Sequence, residues 1–223
     1  MSKLSRPAPL RLVVLISGRG SNMVAIARAC AAGALAAQVV RVLSDEPAAP
    51  GLALATGLGL DAVVVARAGF ADRASFEAAL VAAIEAARPD LVVLAGFMRV
   101  LSPAFTARYA GRLLNIHPSL LPAYRGLHTH ERVLAAGERV HGVTVHYVTA
   151  ELDGGPRVLQ ARVAVLPGDT PASLSARVQA REHIIYPKVI EWIAAGRLRE
   201  AAGAAWLDGR RLDTPMIDGA DAI

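Results

Sequence analysis

Apolar runs of strand length alternate with helix-forming stretches through the first half of the chain, and this alternation limits the fold more than any other feature. The runs are Leu10 to Ser17, Gln38 to Leu43, Ala62 to Ala66, Leu91 to Ala95 and Leu113 to Ile116. Between them Asn22 to Ala32, Pro50 to Leu58 and Asp72 to Ala87 read as helices, the last with Phe76, Leu80 and Ile84 on one face. Strands separated by helices pair in parallel, so an α/β sheet covered by helices on both faces is expected.

After Pro118 the texture changes. A Pro-rich loop runs through Gly126, a helix is expected from His128 to Ala136, and Val143 to Val148 and Val158 to Val165 read as strands that pair antiparallel across Asp153-Gly154-Gly155-Pro156. Thr170 is placed to cap a long last helix with Pro171 at its first position; Pro187 is expected to disturb that helix before it ends near Gly196. The segment from Arg197 onward, with a Leu207-Asp208-Gly209-Arg210 turn, reads as a hairpin followed by a frayed end. The expected organisation is one domain over residues 10–196, with lobes of about 10–110 and 111–196, and an extension over 197–223.

Composition narrows the class. With 54% hydrophobic and 19% charged residues in 223, the body is not disordered. A single cysteine, Cys30, excludes a stapled secreted scaffold and a four-cysteine zinc module. No leader pattern precedes the first strand and no long uncharged apolar run follows, so neither secretion nor membrane spanning is expected. The net charge of +5 comes almost wholly from arginine, with lysine only at Lys3 and Lys188, and no basic block points to nucleic acid.

Three segments carry chemistry. Ser17-Gly18-Arg19-Gly20-Ser21-Asn22 lies between the first strand and the first helix, where small residues let a phosphate reach backbone N–H groups at a helix N-terminus. It is not a Walker A loop, and Met23 replaces the third glycine of the dinucleotide fingerprint, so a mononucleotide-type phosphate is expected. A plain turn capped by Ser21 or Asn22 is the alternative, and Asp45 keeps a dinucleotide reading open. Asn115-Ile116-His117-Pro118-Ser119-Leu120-Leu121-Pro122 sits at the carboxyl end of the fifth strand. There Asn115 and His117, two apart, point the same way and combine an amide donor with a proton-transfer group. In Leu152-Asp153-Gly154-Gly155-Pro156 the glycines permit close approach of a carboxylate to another backbone, and a carboxylate near His117 would favour its imidazolium form; a hairpin turn is the plain alternative. His128, His130, His141, His146 and His183 show no metal-ligand spacing. The first two are expected to cap or line a helix, and His141 and His146 to support the site.

In this order the segments resemble the phosphoribosylglycinamide formyltransferase family of folate-dependent enzymes. The likeness runs from about Val13 to Leu212 and includes Leu94-Ala95-Gly96-Phe97-Met98-Arg99-Val100-Leu101-Ser102, Gly126-Leu127-His128-Thr129-His130, His141-Gly142-Val143-Thr144-Val145-His146 and Ala205-Trp206-Leu207-Asp208-Gly209. The resemblance implies a Rossmann-like, mostly parallel formyltransferase fold with antiparallel pairing toward the C-terminal lobe. It implies that Asn115, His117 and Asp153 are catalytic and that Gly20, Ser21, Asn22 and Glu182 hold the ribonucleotide. It further implies a folate pocket of Arg73, the strand end Met98, Arg99, Val100 and Leu101, Asn115, and the loop Thr149, Ala150, Glu151, Leu152 and Asp153. Arg19 and Arg125 occupy variable positions of the family pattern.

The implied activity transfers the formyl group of 10-formyltetrahydrofolate to the amine of glycinamide ribonucleotide. The products are formylglycinamide ribonucleotide and tetrahydrofolate, in purine biosynthesis. It implies no metal, no nucleic acid or membrane partner, a monomer or homodimer, and a cytoplasmic setting. Acyl transfer of this kind requires oxyanion stabilisation and proton movement, which Asn, His and Asp can supply. Methionyl-tRNA formyltransferase shares Ser119 to Pro122 and Arg125-Gly126 but normally has a larger C-terminal part than the 27 residues after Gly196. Formyltetrahydrofolate deformylase usually has an N-terminal regulatory domain, for which nine residues leave no room. A noncatalytic nucleotide-sensing module would explain the phosphate loop but not Asn115, His117 and Asp153 together.

Overall fold

Alternate side chains of the first strand enter two different cores, and the rest of the architecture is built around that division. In the computed structural model, which describes residues 8–219, β1 (Leu10–Ile16) sends Leu12, Val14 and Ile16 to one face and Val13 and Leu15 to the other, all fully buried. Each such side chain contributes about 1.5–3 kcal/mol of burial. The readings made for residues 1–7 and 220–223 lie outside the described residues.

The chain continues through α1 (Ser21–Ala31), β2 (Ala37–Ser44), α2 (Pro50–Gly57), β3 (Ala62–Val64), α3 (Arg73–Ala86), β4 (Leu91–Leu94), α4 (Pro103–Arg108) and β5 (Leu113–His117). It then forms α5 (Thr129–Ala135), β6 (Val140–Tyr147), β7 (Arg157–Ala164), α6 (Pro171–Ala194), and the short strands β8 (Leu198–Ala201), β9 (Ala204–Leu207), β10 (Arg210–Arg211) and β11 (Met216–Asp218). The main sheet has eight strands in the order β11-β7-β6-β5-β4-β1-β2-β3. Among these only β6 runs against the rest, through antiparallel ladders to β5 and β7. The expected mostly parallel sheet with antiparallel pairing in the second half is what the chain forms.

Local chemistry explains the helix ends. Asp72 accepts a hydrogen bond from the Ser75 N–H at 2.7 Å and starts α3, whose Phe76, Leu80 and Ile84 enter the second core. Thr170 and Ser173 form a reciprocal capping box, with Pro171 at the start of α6. The expected disturbance at Pro187 is not seen: α6 stays helical over 24 residues and buries Val178, Ile185, Tyr186, Val189 and Ile190. The sequence reading passed over α4, whose six residues are too few to establish a helical period even though Ser102 caps it.

The tail differs from expectation in its last part. The hairpin is present, with the turn at Asp208-Gly209 in left-handed conformation and Arg210 opposite Leu207. The expected frayed end, however, contains β11, which lies parallel on the edge of β7. Asp218 secures it through ion pairs to Arg181 at 2.9 Å and Lys188 at 2.5 Å on α6. Among the described residues no helix is long and apolar enough to cross a membrane.

The turn from β1 into α1 packs on a second glycine that sequence reasoning did not single out. A Cβ on Gly51 would stand 2.6 Å from the Ile16 side chain, 2.9 Å from the Gly18 carbonyl oxygen and 3.1 Å from Gly20 Cα. We therefore predict that Gly51→Ala forces the turn outward and destabilises the protein by about 1–3 kcal/mol in denaturant unfolding. An unchanged unfolding midpoint would refute this account of the packing.

Candidate active site

Strands β1 and β4 are neighbours, yet the chain leaves them in opposite directions along the sheet, β1 toward β2 and β4 toward β5. Such a switch point opens a crevice at the carboxyl ends of the strands. A cavity of about 710 Å³ lies there, walled by the turn at 17–22, the segment 94–101, the end of β5 and the loop after β6.

At one end of the cavity, Gly20 is left-handed with φ 71° and precedes a first turn of α1 that has neither a side-chain cap nor an acidic residue. Its N–H groups are thus available to an anion. The alternative of a turn capped by Ser21 or Asn22 does not hold. Ser21 Oγ instead accepts a hydrogen bond from Gln179 Nε2 at 3.0 Å, and Asn22 Nδ2 donates to Glu182 Oε2 at 2.7 Å. The Asn22 carbonyl oxygen is buried without a protein partner. Glu182 occupies the buried face of α6 between Val178 and Tyr186, and burial pushes its carboxyl up, partly offset by the Asn22 bond. Gln179, three residues earlier, reaches the same place; a polar residue at helical spacing from Glu182 is the signal that would have identified it.

In the middle, Asn115 and His117 do share a face of β5. The register of the β5–β6 ladder sets Asn115 directly opposite His146, and the Asn115 amide nitrogen stands 3.2 Å from His146 Nε2. His146 Nδ1 donates to the Tyr147 carbonyl at 2.9 Å, so Nε2 is the acceptor and the amide nitrogen must donate to it. Burial depresses the His146 pKa to about 4, which keeps this acceptor neutral. One amide hydrogen is thereby engaged and the second is free to face the cavity. His146 thus supports the site as expected, through Asn115, and the antiparallel register is what sets the two side by side.

His117 Nε2 donates to the Tyr124 carbonyl at 2.9 Å, leaving Nδ1 as the other nitrogen, 3.5 Å from Asp153 Oδ2. Asp153 lies between the two imidazoles, its Oδ1 3.7 Å from His146 Nε2, and accepts the Gly126 N–H at 2.9 Å. Its backbone is left-handed at φ 49°. The following glycines are needed for close approach: a Cβ on Gly155 would stand 2.0 Å from the Tyr147 carbonyl oxygen, and one on Gly154 2.3 Å from the Glu151 side chain. The Pro-rich loop is pinned as well, since Thr144 Oγ1 accepts the Leu121 N–H and donates to the Ser119 carbonyl, while Gln160 and Arg157 donate to the Leu121 carbonyl.

At the other end, Met98, Val100 and Leu152 are exposed apolar side chains lining the cavity, with Arg99, Leu101, Thr149, Ala150 and Glu151. Residues 98–101 form a loop rather than the expected strand end, because β4 stops at Leu94 and Gly96 turns the chain at φ 78°. Arg73 is the one expected site residue that does not line the cavity. It opens α3, is more than half exposed and faces Glu77 at 3.9 Å, while the Glu77 carboxylate accepts from the Ser102 backbone and hydroxyl. Asp45 is not available to a ribose: it accepts from Ser17 Oγ and from Arg99 Nε, each at 2.5 Å. This removes the structural basis for a dinucleotide.

The remaining histidines take other places. His128 is an exposed left-handed residue at the start of α5, and His130 Nδ1 meets His141 Nε2 at 3.0 Å. His183 lies on α6, where burial lowers its pKa. Among the described residues no group of three or more His, Cys, Asp or Glu side chains is arranged to hold a metal ion.

The family model described as formyl transferase matches residues 10–190. Phosphoribosylglycinamide formyltransferase of Escherichia coli is 52% identical over 203 residues, 91% of this chain and 96% of its own length. The enzyme of that name from Haemophilus influenzae is 43% identical over 202 residues, 91% of this chain and 95% of the relative. The solved phosphoribosylglycinamide formyltransferase of Coxiella burnetii superposes with a TM-score of 0.90 at 49% identity, covering 94% of this chain and 99% of that one. With a family model matched over most of its length and relatives alike over nine-tenths of it, the chain belongs to the formyl transferase family.

Proposed function

We infer that the chain is a folate-dependent phosphoribosylglycinamide formyltransferase, which moves the formyl group of 10-formyltetrahydrofolate to the amine of glycinamide ribonucleotide. The observation that carries this reading is the placement of Asn115, His117 and Asp153 between an anion-ready helix terminus and an apolar lip, within one cavity. The cavity suits the folate co-substrate: Met98, Val100 and Leu152 offer apolar surface to a flat ring system, and the backbone of 99–101, which makes no hydrogen bond among the described residues, offers polar groups to its edge. Gly20, Ser21, Asn22 and Glu182 are proposed to hold the ribonucleotide, with its phosphate on the first turn of α1. Arg99 Nε and Nη2 are taken by Asp45 and Glu46, so its part in folate binding is assigned to backbone.

The proposed division of labour follows from which atoms are free. When the substrate amine attacks the formyl carbon, the formyl oxygen gains charge, and the uncommitted hydrogen of the Asn115 amide is placed to donate to it. His117 Nδ1, the nitrogen not held by Tyr124, is the group that stabilises that oxygen or carries a proton. Asp153 orients His117, with Oδ2 3.5 Å from Nδ1. The attacking nitrogen then loses a proton, the folate nitrogen gains one, and the bond between that nitrogen and the formyl carbon breaks. The site as proposed is composed of one chain's residues, which suits a monomer or a homodimer of independent sites. The unit carrying it is taken as residues 10–196, with 197–223 as its extension, in a cytoplasmic setting that fits purine biosynthesis.

The direct test measures loss of the formyl group from 10-formyltetrahydrofolate with and without glycinamide ribonucleotide. Turnover that requires the amine is expected; equal turnover with water alone would make the protein a deformylase.

Two variants probe the proposed roles. Asn115→Ala is expected to lower kcat by on the order of 10²-fold or more with modest change in either KM, as loss of an oxyanion donor does. A near-normal kcat would place Asn115 outside the reaction centre. If Asp153 serves the reaction through His117, the double variant Asp153→Asn, His117→Ala should be little slower than the slower single variant. Multiplying losses in that cycle would show that Asp153 acts elsewhere.

A further inference from the structure

Arg19 is the one permanent cation on the cavity wall that has no carboxylate partner among the described residues. It projects from the turn between β1 and α1, is exposed, lines the cavity, and takes part in no ion pair or side-chain hydrogen bond there. The other lining arginine, Arg99, is held by Asp45 and Glu46 at 2.5 Å each. His117 and His146 are committed to the Tyr124 and Tyr147 carbonyls, and His130 to His141.

The surroundings create a need for a cation at this place. A substrate phosphate on the first turn of α1 would receive backbone N–H groups and the helix dipole, which together amount to about half an elementary charge. The same end of the cavity holds the Glu182 carboxyl, 2.7 Å from Asn22, and α1 carries no basic residue before Arg28 in its last turn. A phosphate carrying close to two charges is therefore left under-compensated by the turn itself. A guanidinium one residue before Gly20 can close over an anion on the N–H groups that follow it, with two parallel N–H donors for two phosphate oxygens.

We propose that Arg19 is a specificity-determining residue that recognises the phosphate of the ribonucleotide substrate and discriminates it from the uncharged riboside. The proposal rests on the formyltransferase reading given above and extends it to a residue outside the family pattern. Because Arg19 is exposed and makes no side-chain hydrogen bond or ion pair among the described residues, its replacement leaves the fold intact.

The test compares kcat/KM for glycinamide ribonucleotide with that for glycinamide riboside, the same acceptor without phosphate, in the parent enzyme and in Arg19→Ala, Arg19→Lys and Arg19→Glu. The ratio of the two should fall about tenfold in Arg19→Ala, as loss of a charge-assisted contact does. Arg19→Lys should restore most of it and Arg19→Glu should lower it further. The rise of ribonucleotide KM with added salt should flatten in Arg19→Ala. An unchanged ratio would overturn the proposal. So would a rise confined to the folate KM, which would assign the guanidinium to the carboxylates of the folate tail. A parent enzyme that formylates neither acceptor would refute the underlying functional reading instead, and that result is seen before any variant is compared.

Discussion

The antiparallel ladder between β5 and β6 is the constraint on which the site depends. In an otherwise parallel sheet, one reversed strand brings a side chain of β6 directly across from Asn115 at the carboxyl end of β5. The loop after β6 begins beside the start of β5, where the Val148 N–H donates to the Leu113 carbonyl at 2.9 Å, and it folds back along the cavity wall so that Asp153 comes between His117 and His146. Register does the positioning: a slip of one residue would turn Asn115 and His117 into the core and bring Leu114 and Ile116 to the cavity.

The burial that makes this ladder stable also determines protonation. His146 is enclosed to 1% exposure, and a charged imidazole there would lose more solvation than the nearby Asp153 carboxylate returns. It remains an acceptor down to about pH 4, so the Asn115 amide keeps one orientation over the range in which an ordinary histidine would titrate. The linked stability follows in sign. The unfolded chain takes up this proton near the ordinary histidine value while the folded protein resists until about 4, so the contribution of neutral His146 is complete above the ordinary value and is lost as pH falls through that window.

The frame and the chemistry were legible in the sequence for different reasons. The parallel strands showed as continuous apolar runs, and Asp72, Thr170 and Pro171 marked helix starts, because those signals are local. Asn115, His117 and Asp153 stood out through residue type and glycine context, although only the fold shows that His117 and Asp153, far apart in the chain, are neighbours 3.5 Å apart. What escaped was non-local. Gly51 matters because another segment crosses it, and Gln179 because α6 lies beside α1. Met216–Asp218 form a strand because β7 offers an unpaired edge and α6 offers two cations to Asp218. Arg73 was carried over from a family pattern, and here it lies outside the cavity wall, at the start of α3.

The crevice changes character along its length, and that gradient gives the arrangement its chemical sense. The α1 end is built of small residues, amides and a buried carboxyl, whereas the far lip exposes Met98, Val100 and Leu152. A charged sugar phosphate and a flat heterocycle would each lose affinity at the opposite end: the first would lie against apolar side chains in place of the N–H groups of the first turn of α1, and the second would strand apolar surface against polar groups that need partners. On the proposed function, the polarity of the walls would order the two reactants without any contact to the atoms that react. Their reacting ends would then be directed to the stretch where both walls meet, the end of β5. Holding two reactants in such a geometry can supply about 7–11 kcal/mol of a barrier when alignment is good. The polar group at the meeting point then has only to stabilise charge that appears during transfer, and an amide whose second hydrogen is already fixed by His146 requires little reorganisation to do so.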